Sequence, residues 1–438
     1  MAERSEVGWG MRVLVVGVTG LIGSAIAARI SALGHSVVGV SRHEPWPALT
    51  PIEHVYIDVA RATDASDWLP HLHGVDAVVN CAGVLQDSPR DSTEGVHVRG
   101  AAALFAACAR APVGRVIHVS AVGIDREAPT RFSRSKLDGE LALMALALDW
   151  IILRPSVVIG RNAYGGSALV RALAALPIRP IVPDTGELQV VHLDDLVDTV
   201  VFFLAPNAPS RQVIELVGPR RWSFDELVEL WRKWLGYAPA RVFKLPRFAA
   251  QTTFRLGDVA GLLGWRPPIR STAQKEIVRG AVGDARAWES VTGIKPRDIE
   301  RALAAEPPGV QERWFARLYL LKALIFAVLS LFWIGTGVIA LGPGFQIGTE
   351  LMREGGAGQL AGPSVIAGAL ADIAIGIGIA VRPYARVALY AALAISLFYA
   401  AAGTLLVPRL WNDPLGPMLK IWPIIALNLT ALAILNDR

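Results

Sequence analysis

After Trp314 the chain turns almost continuously apolar, and this change limits its possible folds more than any other feature. Two stretches, "ALIFAVLSLFWIGTGVIAL" and "VALYAALAISLFYAAAGTLLV", carry no charge and reach the ~20 residues a helix needs to cross a bilayer. In lipid the backbone must satisfy its own N–H and C=O groups, so such runs are helical. Two more, "SVIAGALADIAIGIGIAV" and "MLKIWPIIALNLTALAIL", carry one charge each, Asp372 and Lys420. The expectation is a four-helix transmembrane bundle over residues 314–438, with helices at about 317–341, 362–381, 385–407 and 418–436.

Orientation follows from the basic residues. With the preceding part in the cytoplasm, that side holds Arg313, Arg317, Lys322, Arg382, Arg386 and Arg438, against Arg353, Arg409 and Lys420 outside. An inner excess of Lys and Arg is the usual bias. The predicted location is a bacterial inner membrane, multi-pass, with the lipid bilayer as partner and the soluble domain in the cytoplasm. The start, "MAERSEVGWG", shows no cleavable signal, and the apolar run after it is short and glycine-broken.

The 438 residues carry a formal charge of +5. The tail from Trp314 has eight Lys or Arg and five Asp or Glu, which is +3, so only +2 is left for the remainder. No basic stripe with interleaved aromatics occurs there, which excludes a nucleic-acid partner. Two cysteines, Cys81 and Cys108, make neither a disulfide framework nor a zinc site, and no metal is expected.

Before the tail the rhythm is that of strands alternating with helices. "MRVLVVG", "HSVVGV", "HVYIDV", "VDAVVNCAG", "RVIHVSAV" and "DWIILRPSVVIG" are short, apolar and β-branched; "LIGSAIAARISAL", "HVRGAAALFAACARA" and "LDGELALMALAL" have helical spacing. This pattern predicts an α/β domain of the Rossmann type, a doubly wound parallel sheet covered on both faces, over residues 11–303. From about Gly160 the rhythm loosens into a smaller substrate-side lobe. It includes a helix start at "SFDELVELWRKWLG", where Ser223 and Glu226 have capping-box spacing. "AAEPPGVQE" heads a linker placed at 304–313.

"VVGVTGLIGS" sets Gly17, Gly20 and Gly23 between the first strand and the first helix. The spacing suits a dinucleotide: a tight turn, close backbone approach to a pyrophosphate, and free N–H groups at the helix start. At the end of the second strand, where an acid would bind an adenosine ribose, stand Ser41, Arg42 and His43. An arginine there suits a 2′-phosphate, so NADP(H) is favoured over NAD(H). Asp58 either accepts from the adenine amino group or closes a turn.

These pieces, with "NCAG" at 80–83, "SK" at 135–136, "LRPSVVIG" and "VVHLDDL", resemble an atypical, extended short-chain dehydrogenase/reductase. The "LRPSVVIG" stretch is similar to the branch of the dehydrogenase-like accessory subunit of respiratory complex I. The resemblance implies a nucleotide held by Gly17, Thr19, Gly20, Leu21, Ile22 and Gly23 in the glycine loop. It adds Ser41, Arg42, Asp58 and Val59, then Cys81, Ala82 and Gly83, and finally Ser120, Lys136, Pro155, Val157 and Val158. In such families a tyrosine four residues before the lysine gives or takes the carbonyl proton, and a serine on the preceding strand holds the substrate oxygen. Carried over, the serine is Ser120 and the lysine Lys136. The tyrosine position is Phe132, in "RFSRSK". A phenyl ring has no exchangeable proton, so that acid–base step is missing. Tyr164, in "GRNAYGGS", is the nearest substitute phenol, and His118 is expected to be a core histidine.

Residues 314–438 resemble the DoxX-like family, on "RWFARLYLLKALIF" and "RLWNDPLGPMLKIWPIIAL"; the resemblance implies a loose link to quinone or membrane redox complexes. A carboxylate in mid-membrane is costly, so Asp372 should face the bundle interior, bonded to Tyr399 or the Trp333 indole, or handle a proton or quinone. Gly368 and Gly376, on the same helix face, should admit close neighbours. The functions compatible with the residues are a nucleotide-binding module at the membrane, an oxidoreductase acting on a quinone or other lipophilic acceptor, and an epimerase or isomerase of a lipid-linked substrate.

Overall fold

The computed structural model describes residues 10–43, 52–127 and 129–436. The first nine residues, where no cleavable signal was expected, and Arg438 lie outside the described residues. Two compact units are present, Met1–Asp258 with Pro268–Arg313, and Val259–Pro267 with Trp314–Arg438.

The first unit is built on β1 (Arg12–Val16), α1 (Leu21–Ala32), β2 (Ser36–Ser41), β3 (Glu53–Tyr56), β4 (Ala77–Asn80), α2 (Ala101–Arg110), β5 (Arg115–Val119), α3 (Arg131–Met144) and β6 (Trp150–Pro155). The chain then runs through β7 (Val158–Ile159), α4 (Gly166–Ala175), β8 (Ile178–Ile181), β9 (Val191–His192), α5 (Leu193–Leu204) and β10 (Gln212–Leu216). Seven strands form one parallel sheet in the order β10-β6-β5-β4-β1-β2-β3. The reversal between β1's two neighbours is the switch point at which this architecture binds ligands. Strand residues alternate between two cores, as the pleat requires. Leu14, Val16, Val78, Val116 and Ile152 face Leu104, Phe105 and Leu143 on α2 and α3. Val13, Val15, Val79, Ile117 and Leu153 face Ile26 and Ile30 on α1 and Leu196 and Phe203 on α5.

The rest of the unit is less regular. α6 (Phe224–Trp234) starts with the expected reciprocal cap: Glu226 N–H donates to Ser223 Oγ at 3.2 Å, and Ser223 N–H to Glu226 Oε2 at 2.7 Å. β11 (Arg241–Lys244) pairs with β8, and α7 (Arg247–Leu262), α8 (Ser271–Arg279), α9 (Arg286–Thr292) and α10 (Ile299–Ala305) follow.

The second unit contains α11 (Val310–Leu341), α12 (Phe345–Glu354), α13 (Ala361–Ala380), α14 (Ala385–Leu406) and α15 (Pro417–Ile434). α11 begins inside the stretch read as a linker, because nothing after Pro308 and Gly309 breaks a helix. Four of these helices, α12 excepted, are long and apolar enough to cross a membrane. Only 17–28% of each apolar window is buried, so most of that surface faces outward, as lipid solvation requires. Gly376 makes room for α11: a Cβ there would meet Ile334 and Ser330 O at about 2.7 Å, and the Ser330 hydroxyl donates to Gly376 O at 2.8 Å.

Candidate functional site

The carboxyl ends of β1, β2, β4, β5 and β6 bring the predicted nucleotide residues to one edge of the sheet. Gly17 follows β1 with φ +83°, a conformation that L side chains rarely adopt. It also lies against β4's exit: a Cβ at Gly17 would be 3.1 Å from Ala82 N and 3.1 Å from the Cys81 carbonyl carbon. Gly20 N–H donates to Gly17 O at 2.9 Å, closing the turn, and a Cβ on Gly23 would collide with Gly17 O. Gly20 is the N-cap of α1 and supplies no side-chain cap, so the first N–H groups of α1, around Leu21 and Ile22, are left for an anion. Thr19 is exposed at the tip of this loop. A turn whose glycines leave no room for a Cβ against its own backbone, under an uncapped helix start, suits a pyrophosphate.

Further along the edge, Ser41 Oγ donates to His43 O at 2.5 Å and meets His54 Nε2 at 2.9 Å. Arg42 is engaged within the protein: Nη2 binds Asp91 Oδ1 at 2.9 Å and Nη1 donates to Arg90 O at 3.0 Å. Asp58 closes a turn, its Oδ1 accepting from Ala60 N–H at 3.1 Å; Val59 behind it is buried. Of the two roles open to Asp58 in the sequence, these contacts are those of the turn, with Arg61 Nε 3.7 Å from Oδ2.

α3 carries the central pair. Thr130 caps it, its hydroxyl accepting from Ser133 N–H at 3.1 Å, so "RFSRSK" forms its first turns and Phe132 and Lys136 share a face. Lys136 is buried; Nζ donates to Val119 O at 2.9 Å and reaches Ala82 O at 3.5 Å. Burial pulls its pKa down to about 8, against the opposing pull of Cys81 and Glu140. Glu140, one turn on, is fully buried and held bidentately by Arg154 of β6 at 2.6–3.2 Å. Ser120, next to Val119, has a buried hydroxyl with no hydrogen-bond partner. Gly83 is exposed beside the lysine; a Cβ there would be 3.4 Å from Nζ. Pro155 O accepts from Val122 N–H at 3.0 Å and Val157 O from Val191 N–H at 3.0 Å, with Val158 half-buried next to them.

Sequence reasoning missed His97, which lies in a π-helical stretch, Glu94–Gly100, ahead of α2. Its Nε2 accepts from Val84 N–H at 3.0 Å, which leaves Nδ1 to donate to Ser135 Oγ at 2.8 Å. The ring meets Phe132 edge-on, centroids 5.6 Å apart. Burial, then the Lys136 and His118 charges, hold His97 well below the usual histidine pKa. His118 is lowered in the same way by burial and Lys136, with Asn80 at 3.3 Å from Nδ1. Both rings are therefore neutral near pH 7 and neither supplies the proton that Phe132 lacks. Tyr164 lies on the turn leading into α4, 38% exposed, its backbone N–H held by Ser167 Oγ at 2.9 Å. A cleft of about 400 Å³ opens beside the α3 start, lined by Leu85, Gln86, Asp87, Thr130 and Arg131 among others.

In the second unit Asp372 is buried, and of its two expected partners Tyr399 is the one found, the phenol donating to Oδ1 at 3.3 Å. The Trp333 indole N–H has no partner. A Cβ on Gly368 would be 3.3 Å from the Tyr399 hydroxyl, so this glycine makes room for the phenol.

Residues 13–216 match the NAD dependent epimerase/dehydratase family, and residues 330–429 the DoxX-like family. An uncharacterized protein of Mycobacterium tuberculosis is 28% identical over 219 residues, which is 50% of this chain but only 23% of that protein's length. The mitochondrial NADH-ubiquinone oxidoreductase 40 kDa subunit of Neurospora crassa is 25% identical over 311 residues, 68% of this chain and 78% of that one. A ceramide reductase of Caulobacter vibrioides is 25% identical over 263 residues, 59% of this chain and 80% of that one. Among solved structures, the Bordetella bronchiseptica enzyme WbmG in complex with NAD superimposes with a TM-score of 0.53 at 18% identity, over 69% of this chain and 94% of that one. The chain thus joins an epimerase/dehydratase-like Rossmann domain to a DoxX-like domain with four apolar membrane-span candidates.

Proposed function

We propose that this is a membrane-anchored NADP(H)-binding protein that has kept the nucleotide site of its family and lost the family's phenol acid–base step, acting as a redox-linked module at a bacterial inner membrane. The observation that carries the reading is the α3 face on which Phe132 stands one turn before a buried Lys136. Gly17, Gly20 and Gly23 with the start of α1 would hold the pyrophosphate, and Lys136 the nicotinamide ribose. The nicotinamide, when bound, supplies hydride chemistry. Around it the protein's own residues bind and orient; Phe132 excludes water and moves no proton, and His97 and His118 are neutral.

Preference for NADP(H) is supported by Arg42, which directly follows the last residue of β2. Asp91 orients Arg42 and competes with a 2′-phosphate for it, so the preference rests on this one pair. A cytoplasmic site is supported by the six-to-three distribution of basic residues around the spans. Association with a membrane redox complex is supported by the kinship with the Neurospora subunit.

A second reading, hydride transfer to a quinone or a lipid carbonyl, is favoured by one observation. The Ser120 hydroxyl is buried without a partner, a state that native proteins mostly avoid and that a substrate oxygen would relieve. The Caulobacter relative's name, ceramide reductase, is consistent with a lipid substrate. The test is NADPH oxidation by the full chain in lipid, with and without a quinone or a long-chain ketone. Tight nucleotide binding with no turnover supports the module; turnover on either acceptor replaces it with the second reading.

A further inference from the structure

α7 is amphipathic in the wrong direction for a helix of a soluble domain. Its inner face is made of small residues and one ring: Ala250, Phe254, Gly257 and Gly261 are buried, and a Cβ on Gly257 would collide with Ile269 O. Its outer face carries the large apolar side chains. Phe248 is 73% exposed, Leu256 64%, Val259 53% and Leu262 69%, with Leu263 just beyond. Steps of three, four and eight residues put them on one stripe at helical spacing. An outward stripe of this kind marks an interaction surface.

Two further observations say what covers it. First, the segment is basic: Arg241, Lys244, Arg247, Arg255 and Arg266 fall between residues 241 and 267, with Asp258 the one acid. Asp258 points away from the stripe, accepting from Gln86 Nε2 at 2.7 Å and Ser271 N–H at 3.2 Å. Arg247 binds Asp184 at 2.7 Å. Second, the last turn of α7 belongs to the unit of the membrane spans, which includes Val259–Pro267. Trp265 donates from its indole to Ala380 O at 2.7 Å, at the end of α13, and packs on Phe326 with centroids 4.7 Å apart. Arg382 N–H, in the turn after α13, donates to Leu263 O at 2.9 Å. A tryptophan fixed at the end of a span sits at the membrane–water boundary.

We propose that α7 is an interfacial membrane helix, lying in the headgroup layer of an anionic leaflet with Phe248, Leu256, Val259 and Leu262 in the acyl boundary and the basic residues against lipid phosphates. Apolar stripe, basic flanks and attachment at the boundary are the three features of helices that lie on a bilayer. The proposal is independent of nucleotide binding.

The experiment uses the full chain in nanodiscs of phosphatidylcholine, alone or mixed with phosphatidylglycerol. An environment-sensitive fluorophore is placed by Phe248→Cys or Leu256→Cys, and by Asp138→Cys, at an exposed position of α3, as control. Burial pushes the thiols of Cys81 and Cys108 up to about 12, so both stay unlabelled near neutral pH. The labels at 248 and 256 should be quenched by nitroxide-bearing lipid and shielded from aqueous iodide, and the control should show the reverse. Lys244→Glu with Arg255→Glu should lessen the lipid quenching in mixed discs and change it little in phosphatidylcholine alone. Iodide quenching of labels 248 and 256 equal to the control overturns the proposal. So does shielding from both quenchers with cross-linking between copies, which would make the face a contact between two chains.

Discussion

On the reading proposed above, the chemistry of the site turns on position 132, where Phe132 carries no hydroxyl. Restoring it by Phe132→Tyr places a phenol one helical turn from Lys136, whose ammonium would depress its pKa. The variant is expected to gain slow NADPH-dependent reduction of small carbonyls that the parent lacks, read as NADPH loss with a soluble ketone. Robust turnover by the parent would instead require another acid, with Tyr164 first and Lys136 itself second. The lysine also makes a pH prediction. Burial lowers its pKa to about 8, so below that pH it meets the ribose as a full ammonium, and above it as an amine with one donor fewer and no charge. Nucleotide affinity should be level below pH 8 and fall as the pH rises through it, and Lys136→Ala should weaken binding about tenfold, ~1.4 kcal/mol, and flatten the profile. Calorimetric titration across that range checks both. At Arg42 the expected result is selective: Arg42→Asp should weaken NADPH far more than NADH. Equal weakening would mean that the arginine, held by Asp91, does not read the phosphate.

Among the elements, the turn from β1 into α1 and the docking of α3 on the sheet do the positioning. Gly20→Val should abolish nucleotide binding while the spans still insert, because a Cβ at this position already approaches Gly17 O at 3.2 Å and the two methyls must enter the phosphate cradle. Normal binding by that variant would place the pyrophosphate elsewhere. α3 is fixed from three sides. Glu140 is locked to Arg154 on β6; Ser133 accepts from Arg279 Nη1 at 2.5 Å and donates to Glu276 Oε1 at 3.0 Å on α8; and a Cβ at Gly139 would collide with His97 O. The face bearing Phe132 and Lys136 is thereby held rigid, as a site on a helix needs to be.

For the whole molecule, the question is what the second unit adds beyond an anchor. Asp372 is the residue to ask. Asp372→Asn keeps an acceptor for the Tyr399 hydroxyl and removes the charge. The expected outcome is a folded, membrane-inserted protein within about 1 kcal/mol of the parent, with nucleotide binding unchanged, measured by thermal unfolding in detergent and by titration. A folded variant that loses an NADPH-linked activity would make Asp372 a proton carrier; failure to assemble would mean that its charge is paired in the bundle.

The sequence by itself determined whatever rests on local periodicity and backbone chemistry. The strand–helix alternation, the glycine turn, the Ser223–Glu226 cap and the four apolar spans were all legible, since each depends on residues a few positions apart. Only the tertiary structure decided the pairings across long separations, which leave no period in the chain. Asp91 occupies Arg42 from 49 residues away, and His97 reaches Ser135 across 38. Asp372 chose Tyr399 over Trp333 because Gly368 leaves space for a phenol. The short stretch Val259–Pro267 reads as part of the soluble lobe but packs with the spans through Trp265. α7 shows the physical reason most plainly: by sequence this region is only part of an irregular lobe, and which way the helix's apolar stripe faces is set by Gly257 fitting against Ile269 O, a contact no local pattern encodes.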